Sequence, residues 1–336
     1  MSPKKKEVKD EYVITVNSLS KTFKTKIKEP GVKGSLKAIF RPKHKSIHAV
    51  NNISFNVNKG ELVAFIGPNG AGKSTTLKML SGILFPDGGD ISVLSLSPQH
   101  QRKQLAYNIG TVFGQKPQLW FHLPAMDSFN LFAKIYDLDM KEYKHRINHL
   151  IEVFQIQDII KQPVRKLSLG QRMRCEFVLA LIHKPKILFL DEPTIGLDVV
   201  IKKNIRELIK KINQEDKVTV ILTSHDMGDV EMICKRMMII NHGRIVYDGT
   251  IDAIKKRYLK KKVITAVSDE PIKLPKLKGY KTIQKKRYAA IIEIDTTKLK
   301  IKQITNALMR LNPINDITIE EPPIEEIIEN IYHQKR

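Results

Sequence analysis

The chain contains 336 residues, of which 42% are hydrophobic and 28% are charged. These values are typical of a globular protein, and the length is sufficient for one large domain and a smaller one. No apolar run approaches the roughly 18–20 residues of a membrane-spanning helix. The basic start MSPKKKEVKDEYV lacks the apolar stretch of a secretory signal. Cys175 and Cys234 lie in helix-like apolar patterns, which predicts free buried thiols in a reducing compartment such as the cytosol.

The net charge of +23 is compatible with an anionic partner, such as nucleic acid, lipid headgroups or a polyphosphate ligand. A lysine-rich surface without a specific partner explains the charge equally well. Basic residues are dense in residues 1–11, which we expect to be a tail, and in residues 24–46. The second stretch is rich in Lys, Gly and Pro and predicts a long loop or insertion. It is compatible with a membrane surface or with bulk solvent.

The first predicted elements lie on either side of this insertion. EYVITVNSLS and HAVNNISFNV predict two strands, and ELVAFI predicts a buried strand that leads into the helix STTLKMLSGIL. Helical periodicity dominates from Met126 to about Ile160, and we assign about 116–185 to a helical subdomain.

Strands and helices then alternate again. The buried strands KILFLDEP and KVTVILTSH each lead into a helix, and two short strands lie around MMIINHGRIVYDG. Apolar strands that alternate with helices predict an α/β fold with a parallel sheet covered on both faces. Residues 257–336 differ: KKKVITAVSD, AAIIEIDTT and DITIEEPP predict strands, and IKQITNALMRL predicts a short helix. We expect a small α+β domain there that ends in the acidic helix PIEEIIENIY and serves in regulation or dimer contacts.

Residues 67–75 read GPNGAGKST between the strand LVAFI and a helix. This stretch matches G-x-x-x-x-G-K-[ST] in the strand–loop–helix context of a phosphate-binding loop. The glycines let backbone N–H groups turn toward a ligand, Lys73 reaches the β- and γ-phosphates, and Ser74 supplies an oxygen to Mg²⁺. We therefore expect binding of a nucleoside triphosphate by Gly67, Pro68, Asn69, Gly70, Ala71, Gly72, Lys73, Ser74 and Thr75.

Two further strands end in polar residues. KILFLDEP leads into Asp191 and Glu192, where the strand ends of an open α/β sheet bind ligands. Asp191 is predicted to bind Mg²⁺ through water, and Glu192 to act on the attacking water as general base. KVTVILTS ends in His225, for which a place in the core and a hydrogen bond to the γ-phosphate are both possible. Its position at the same sheet edge favours the second.

A fourth motif, KLSLGQRM, begins at residue 166 and opens a helix. Helix N-termini attract anions, but this turn lies about a hundred residues from the phosphate loop along the chain. With GPNGAGKST, LSLGQ, FLDEP and TSHD in this order, the chain resembles the nucleotide-binding subunit of an ABC transporter over residues 12–256.

The resemblance implies a P-loop NTPase core with an antiparallel β subdomain and a helical subdomain, ATP and Mg²⁺ as cofactors, and ATP hydrolysis. It implies that Gln115 contacts Mg²⁺ and the attacking water, and that Asp198 is the key acid of a loop crossing a dimer interface. It further implies a homodimer or a pseudo-symmetric heterodimer around two ATP molecules. The γ-phosphate held by one subunit is then capped by Ser168, Leu169, Gly170 and Gln171 of the other.

The sequence departs from the family pattern in two places. Leu169 replaces the first glycine of the usual LSGGQ, and we expect function to survive because the hydroxyl, the flexible turn and the amide are kept. The family places an aromatic residue under the adenine about two dozen residues before the phosphate loop. That register falls on His44, and Phe40 or Phe23 could serve instead.

The insertion near residues 24–46, the stretch GQKPQLWFHLPAMDSFNLFAKIYDL and the ending DITIEEPPIEEIIENIY resemble the ATPases of exporters. This resemblance implies a separate permease of about six membrane-spanning helices. The ATPases of polysaccharide and teichoic-acid export remain an alternative. The expected location is the cytoplasmic face of the membrane. Gln115 to about Tyr136 would form the permease groove. Trp120, Phe121 and Phe129 are either exposed anchors there or packing residues of the helical subdomain. The basic charge also suits a soluble ABC ATPase that acts on ribosomes or nucleic acid. A single core without a heptad run disfavours that alternative.

Overall fold

The computed structural model describes residues 12–27, 43–114, 116–258 and 261–321, together with Ile324, Ile327 and Ile328. The chain divides into two compact units, with the boundary between Asp248 and Gly249. The sequence analysis placed this boundary later, near residue 256. In the structure, the helix that follows Thr250 is counted with the second unit. Among the described residues, no helix is long and apolar enough to cross a membrane.

A six-stranded sheet forms the centre of the first unit, in the order β5-β6-β7-β3-β8-β9. The neighbours from β5 to β8 in this order pair in parallel. Nearly every residue of the inner strands is buried, as expected for a sheet covered on both faces. The predicted parallel α/β core is therefore confirmed. Its strands are β3 (Leu62–Ile66), β5 (Ile109–Phe113), β6 (Ile187–Asp191), β7 (Thr219–Ser224), β8 (Arg236–Asn241) and β9 (Arg244–Thr250).

A second, three-stranded sheet has the order β2-β1-β4, from β1 (Tyr12–Ile27), β2 (Lys43–Asn58) and β4 (Gly88–Val93). Both pairings are antiparallel, as the family resemblance implied. Residues 24–27 and 43–46 pair with each other as strand, so the expectation of an irregular loop over residues 24–46 is wrong at both ends. The described side chains at these ends, residues 23–25 and 45–48, are exposed, so backbone pairing alone extends the ladder beyond the predicted strand ends. Residues 28–42 lie outside the described part.

The helices of the first unit are α1 (Lys73–Leu80), α2 (Arg102–Ala106), α3 (Ala125–Ile135), α4 (Met140–Val153), α5 (Leu169–Leu181), α6 (Val199–Glu215) and α7 (Met227–Ile233). The predicted helical periodicity is thus realised in α3 and α4. Asp139 caps α4 by accepting hydrogen bonds from two backbone amides. Cys175 and Cys234 are buried and free, as predicted. Burial raises the pKa of the Cys175 thiol to about 12.

The second unit is an antiparallel sheet with a helix. Its strands are β10 (Lys261–Ser268), β11 (Tyr280–Lys285), β12 (Ala289–Asp295) and β13 (Ile314–Glu320), in the order β11-β12-β10-β13. Helix α9 (Ile301–Leu311) contributes Ile304 and Leu308 to a separate core with Ile264 and Ile292. Helix α8 (Ile251–Tyr258) precedes the sheet. Most of the predicted acidic helix lies outside the described residues.

Candidate functional site

The phosphate-loop motif lies between β3 and α1, as the sequence predicts. Two of its glycines are required by close approaches of the backbone. A Cβ atom on Gly67 would lie 2.2 Å from the carbonyl oxygen of Ile240, and one on Gly72 would lie 2.3 Å from that of Ala49. Gly72 also has a φ of 111°, which residues with a Cβ rarely adopt. A larger residue at either position would displace the loop.

Lys73 begins α1 and points into the loop. Its Nζ donates to the carbonyl oxygens of Gly67 at 2.6 Å and Pro68 at 3.3 Å, and lies 3.7 Å from Oε1 of Glu192. Burial lowers the pKa of Lys73, while the carboxylates of Glu192 and Asp191 oppose that shift. A cation held among backbone groups at this place is suited to the oxygens of a bound polyphosphate.

Asp191, at the end of β6, joins three elements. Its Oδ1 accepts hydrogen bonds of 2.7 Å from Ser74 Oγ on α1 and of 2.7 Å from Thr223 Oγ1 on β7. A hydroxyl and a carboxylate beside a phosphate loop are the oxygen donors that Mg²⁺ prefers. No cluster of three or more His, Cys, Asp or Glu side chains suited to a metal ion occurs among the described residues. The protein would therefore supply only part of a magnesium coordination sphere, as is usual for this ion.

Glu192 follows Asp191 in a left-handed backbone conformation, with a φ of 53°. Its amide donates to the side chain of Thr223 at 3.0 Å. The carboxylate lies between two basic groups: Oε1 faces Lys73, and Oε2 lies 2.8 Å from Nδ1 of His225. The His225 side chain is 52% exposed, against 16% for Glu192. His225 is therefore not a core residue, and the two side chains form a pair at the sheet edge.

These residues line one cleft of about 600 Å³. Its floor is the phosphate loop from Pro68 to Thr75, and Asp191, Glu192 and His225 form one side. Phe23 and Ile47, paired across β1 and β2, line it as well. A cleft that combines a phosphate loop with an exposed aromatic ring has the parts needed for a nucleotide.

Three residues of the sequence prediction cannot be placed in this cleft. Gln115 and Phe40 lie outside the described residues, and so does the side chain of His44. Phe23, the predicted alternative to His44 under the adenine, lies in the cleft and is 39% exposed.

The KLSLGQ turn forms the predicted helix start. Ser168 caps α5: its Oγ accepts from the amide of Gln171 at 3.2 Å, and Oε1 of Gln171 accepts from the amide of Ser168 at 2.9 Å. This reciprocal capping box fixes the first turn of the helix. Ser168 itself remains exposed.

The same turn packs against the loop that carries Asp198. A Cβ atom on Gly170 would lie 2.5 Å from Cδ1 of Ile201, so any side chain there would displace the Ile201 side chain. The Leu169 side chain lies beside Gly196, whose φ is 73°. The leucine that departs from the family pattern therefore fills space beside a glycine of the neighbouring loop.

Asp198 caps α6 through a hydrogen bond from the amide of Ile201, at 3.0 Å. The next two residues, Val199 and Val200, are 80% and 68% exposed. Two adjacent exposed valines on one helix start are unusual for a surface that faces only water. None of Ser168, Leu169, Gly170, Gln171 and Asp198 lines the cleft that contains the phosphate loop. One chain thus brings the phosphate loop together with Asp191, Glu192 and His225. It does not bring the Ser168 turn or Asp198 to the same cleft.

Thr223 was missed by the sequence analysis, although it holds both acidic residues in place. It is fully buried, donates to Asp191 and accepts from the amide of Glu192. The signal that could have found it is its position two residues before His225, at the end of the strand next to β6. Lys116 and Phe113 also line the cleft and were not predicted.

Comparisons with known proteins agree with this geometry. A family of proteins described as ABC transporter matches residues 50–195, which include the phosphate loop, Ser168 and Glu192. ABC transporter ATP-binding protein NatA of Bacillus subtilis is 34% identical over 215 residues, covering 64% of this chain and 87% of NatA. Bacitracin transport ATP-binding protein BcrA of Bacillus licheniformis is 32% identical, covering 62% of this chain and 67% of BcrA.

Among solved structures, CbiO1 from Clostridium perfringens, part of the ABC transporter complex CbiONQ, has a TM-score of 0.59 and 27% identity. The match covers 74% of this chain and 96% of CbiO1. Family, relatives and fold agree. The chain is a member of the ABC transporter ATP-binding proteins, and it is an ATPase.

Proposed function

We propose that this chain powers export through a separate membrane permease, as one of two ATPase subunits that close head to tail around two ATP molecules. One observation carries the proposal: the phosphate loop and the exposed Ser168 turn do not share a cleft within one chain. A helix N-terminus suited to an anion would then meet the γ-phosphate held by a second copy.

The phosphate loop and Lys73 hold the triphosphate of ATP in this proposal. Ser74 and Asp191 would hold Mg²⁺, directly or through water, and the ion would neutralise charge on the phosphates. The 2.7 Å hydrogen bond between the two side chains supports this role, because it places both oxygens at one edge of the loop.

Glu192 accepts a proton from water as the water oxygen attacks the γ-phosphorus. The bond to the bridging oxygen breaks, and ADP and phosphate leave. His225 orients the Glu192 carboxylate, at 2.8 Å in this structure, and is placed to contact the γ-phosphate. Gln115 would position the same water. Geometry of this kind typically contributes several orders of magnitude to a rate, of which the base supplies about 10²–10⁴.

The adenine ring stacks on Phe23 in this proposal, not on His44. Phe23 pairs with Ile47 across the two strands, and both line the cleft that holds the phosphate loop. Nζ of Lys21 lies over the Phe23 ring, 5.9 Å from its centroid. Stacking of a base on an aromatic side chain contributes about 1–3 kcal/mol and tolerates any base.

The interface between the two subunits is formed by the Ser168 turn and the Asp198 loop. Val199 and Val200 extend this surface and would be buried by a second copy, which explains their exposure in one chain. Leu169 and Ile201 fix the two segments to each other, so both approach the partner as one surface.

The permease docks on the segment that follows Gln115. Trp120 and Phe121 are 50% and 47% exposed there, whereas Phe129 is fully buried and packs within the helical subdomain. BcrA is named for bacitracin transport and CbiO1 for a transporter complex, which favours a transport partner over ribosomes or nucleic acid. The chain would then lie at the cytoplasmic face of the membrane.

The test of the subunit arrangement is ATP-dependent dimerisation of the full chain, measured by light scattering. Glu192→Gln keeps the size of the side chain but removes the base, so it should bind ATP, lose most turnover and form a stable dimer. Glu192→Gln combined with Ser168→Ala should bind ATP as a monomer with nearly unchanged affinity. An Asp158→Asn change in the same background, at an exposed site on the helical subdomain, is the matched control.

A dimer that forms equally well without the Ser168 hydroxyl would contradict the shared site. Unchanged hydrolysis in Glu192→Gln would remove that residue from the role of base. Co-purification of the chain with a protein of several hydrophobic spans would support the permease, and salt-dependent RNA or DNA binding without such a partner would contradict it.

A further inference from the structure

Glu176 is a buried carboxylate outside the catalytic cleft. It lies on α5, two turns after Ser168, and is 5% exposed. A buried charge is costly unless it is hydrogen-bonded, so its partners indicate why it is present. Those partners belong to the segment that carries Trp120 and Phe121, which the catalytic mechanism does not use.

The carboxylate binds two backbone amides of that segment. The amide of Gln118 donates to Oε1 at 3.0 Å and Oε2 at 3.1 Å, and the amide of Leu119 donates to Oε1 at 3.2 Å. Hydrogen bonds to an ionised acceptor are roughly twice as strong as neutral ones. Three hydrogen bonds therefore attach the segment to α5 through a single side chain.

A second connection leads back to the Ser168 turn. The amide of Arg165, three residues before Ser168, donates to the carbonyl oxygen of Phe121 at 2.9 Å. The exposed aromatic pair is thus attached to the Ser168 turn from both sides, through Glu176 along α5 and through the short helix Val164–Lys166.

Two other bonds attach the segment to different elements. The side chain of Gln118 donates to the carbonyl oxygen of Thr111 on β5 at 2.6 Å, and the amide of Trp120 donates to Oγ of Ser128 on α3 at 3.1 Å. These provide comparison sites, because neither connects the segment to α5.

We infer that Glu176 is a positioning residue that makes the Trp120–Phe121 surface follow α5 when the Ser168 turn engages ATP. This inference rests on the proposed function, and it names the side chain that links the shared ATP site to the surface where the permease docks. Without this carboxylate, α5 can move onto the nucleotide while the aromatic surface stays with β5 and α3.

The chain contains a natural reporter for this link, since Trp120 is its single tryptophan. In the full-length Glu192→Gln protein, quenching of Trp120 fluorescence by acrylamide should change when ATP and Mg²⁺ are added. Glu176→Gln in that background should reduce the change to less than half. The amide of Gln118 lies within 3.1 Å of both Glu176 carboxylate oxygens. A glutamine at this position therefore places its NH₂ group against that amide in either orientation, and two donors then face each other.

Ser128→Ala is the discriminating control, because it releases the same segment from α3 and leaves Glu176 intact. It should keep the ATP-dependent change. Glu152→Gln, at an exposed position on α4, is the matched control for the Glu-to-Gln exchange and should also keep it. If Glu176→Gln does not fold, as judged by thermal melting, Glu176→Asp keeps the charge but withdraws it from the amides.

Light scattering on the same samples separates the two proposals. A parent protein that forms no ATP-dependent dimer would contradict the proposed function, and this inference with it. A dimer that forms in Glu176→Gln with an undiminished Trp120 response would overturn the inference alone. Loss of the dimer in a folded Glu176→Gln protein would also overturn it, because Glu176 would then act on the ATP site and not on the link.

Discussion

Thr223→Val tests whether the catalytic carboxylates depend on one buried hydroxyl. Valine has nearly the same shape but no hydroxyl, so it removes the 2.7 Å bond to Asp191 and the 3.0 Å bond from the amide of Glu192. Other hydrogen bonds remain: Ser74 donates to Asp191, and the Glu192 amide also donates to the carbonyl oxygen of Thr223 at 3.2 Å. The change therefore weakens the positioning of Asp191 and Glu192 but leaves each residue with a hydrogen-bond partner.

The expected magnitude follows from the hydrogen bond to an ionised group. Its removal should lower the free energy of unfolding by about 1.5–3 kcal/mol. If this energy also positions Glu192 in the transition state, its loss raises the activation barrier by a similar amount. The kcat should then fall about 10- to 100-fold. Affinity for ATP should change little, because Thr223 does not line the cleft.

Steady-state ATPase measurements of the full chain give kcat and KM, and thermal unfolding gives the stability. Thr223→Ser is the matched control, since it keeps the hydroxyl and should restore kcat to within a few fold of the parent. The reasoning would be refuted by a Thr223→Val protein with unchanged kcat. It would also be refuted if the serine variant lost as much activity as the valine variant.

Three further predictions concern other parts of the first unit. Phe23→Ala should raise the Kd for ATP about tenfold, measured with a labelled nucleotide, because stacking is worth about 1–3 kcal/mol. Phe23→Tyr keeps the ring and should not raise the Kd. Equal affinity in the two variants would contradict the adenine assignment. Leu169→Gly restores the usual family residue and should lower the free energy of unfolding by about 1–2 kcal/mol. The change loses the contact with Gly196 and adds a glycine to a helix start. A higher melting temperature would contradict this prediction. Burial raises the pKa of the Cys175 thiol to about 12 and that of Cys234 as well, so native protein at neutral pH should resist alkylation until it is unfolded. Rapid labelling of the folded chain would count against that burial.

The parallel core could be predicted because local patterns decide it. The strands that end at Ile66, Asp191 and Ser224 are short apolar runs, and the polar residues that follow them belong to one sheet edge in any parallel arrangement. The pairing of Glu192 with His225 required the fold, because residues 33 positions apart meet only once β6 and β7 are neighbours.

Other features could not be read from local patterns. The extended β1–β2 hairpin contradicts the expected loop, because its lysine-rich ends are stabilised by pairing with each other and not by their own propensity. Glu176 looks like an ordinary helix residue in sequence. Its role depends on amides that reach it from 57 and 58 positions away, and backbone partners leave no residue-type signal.

The loop with His225 and the helix capped by Asp198 are fixed to each other by charge. Lys202 on α6 donates to Asp226 at 2.6 Å, next to His225, and Arg206 one turn on donates to the buried Asp229 of α7 at 2.6 Å. Asp229 is 1% exposed, so breaking its pair with Arg206 would leave a buried charge without its cationic partner. The residue that contacts Glu192 and the loop proposed to meet a second subunit are therefore joined by two ion pairs. The two halves of the proposed ATP site are thus held together within each chain, although no single chain contains a complete site.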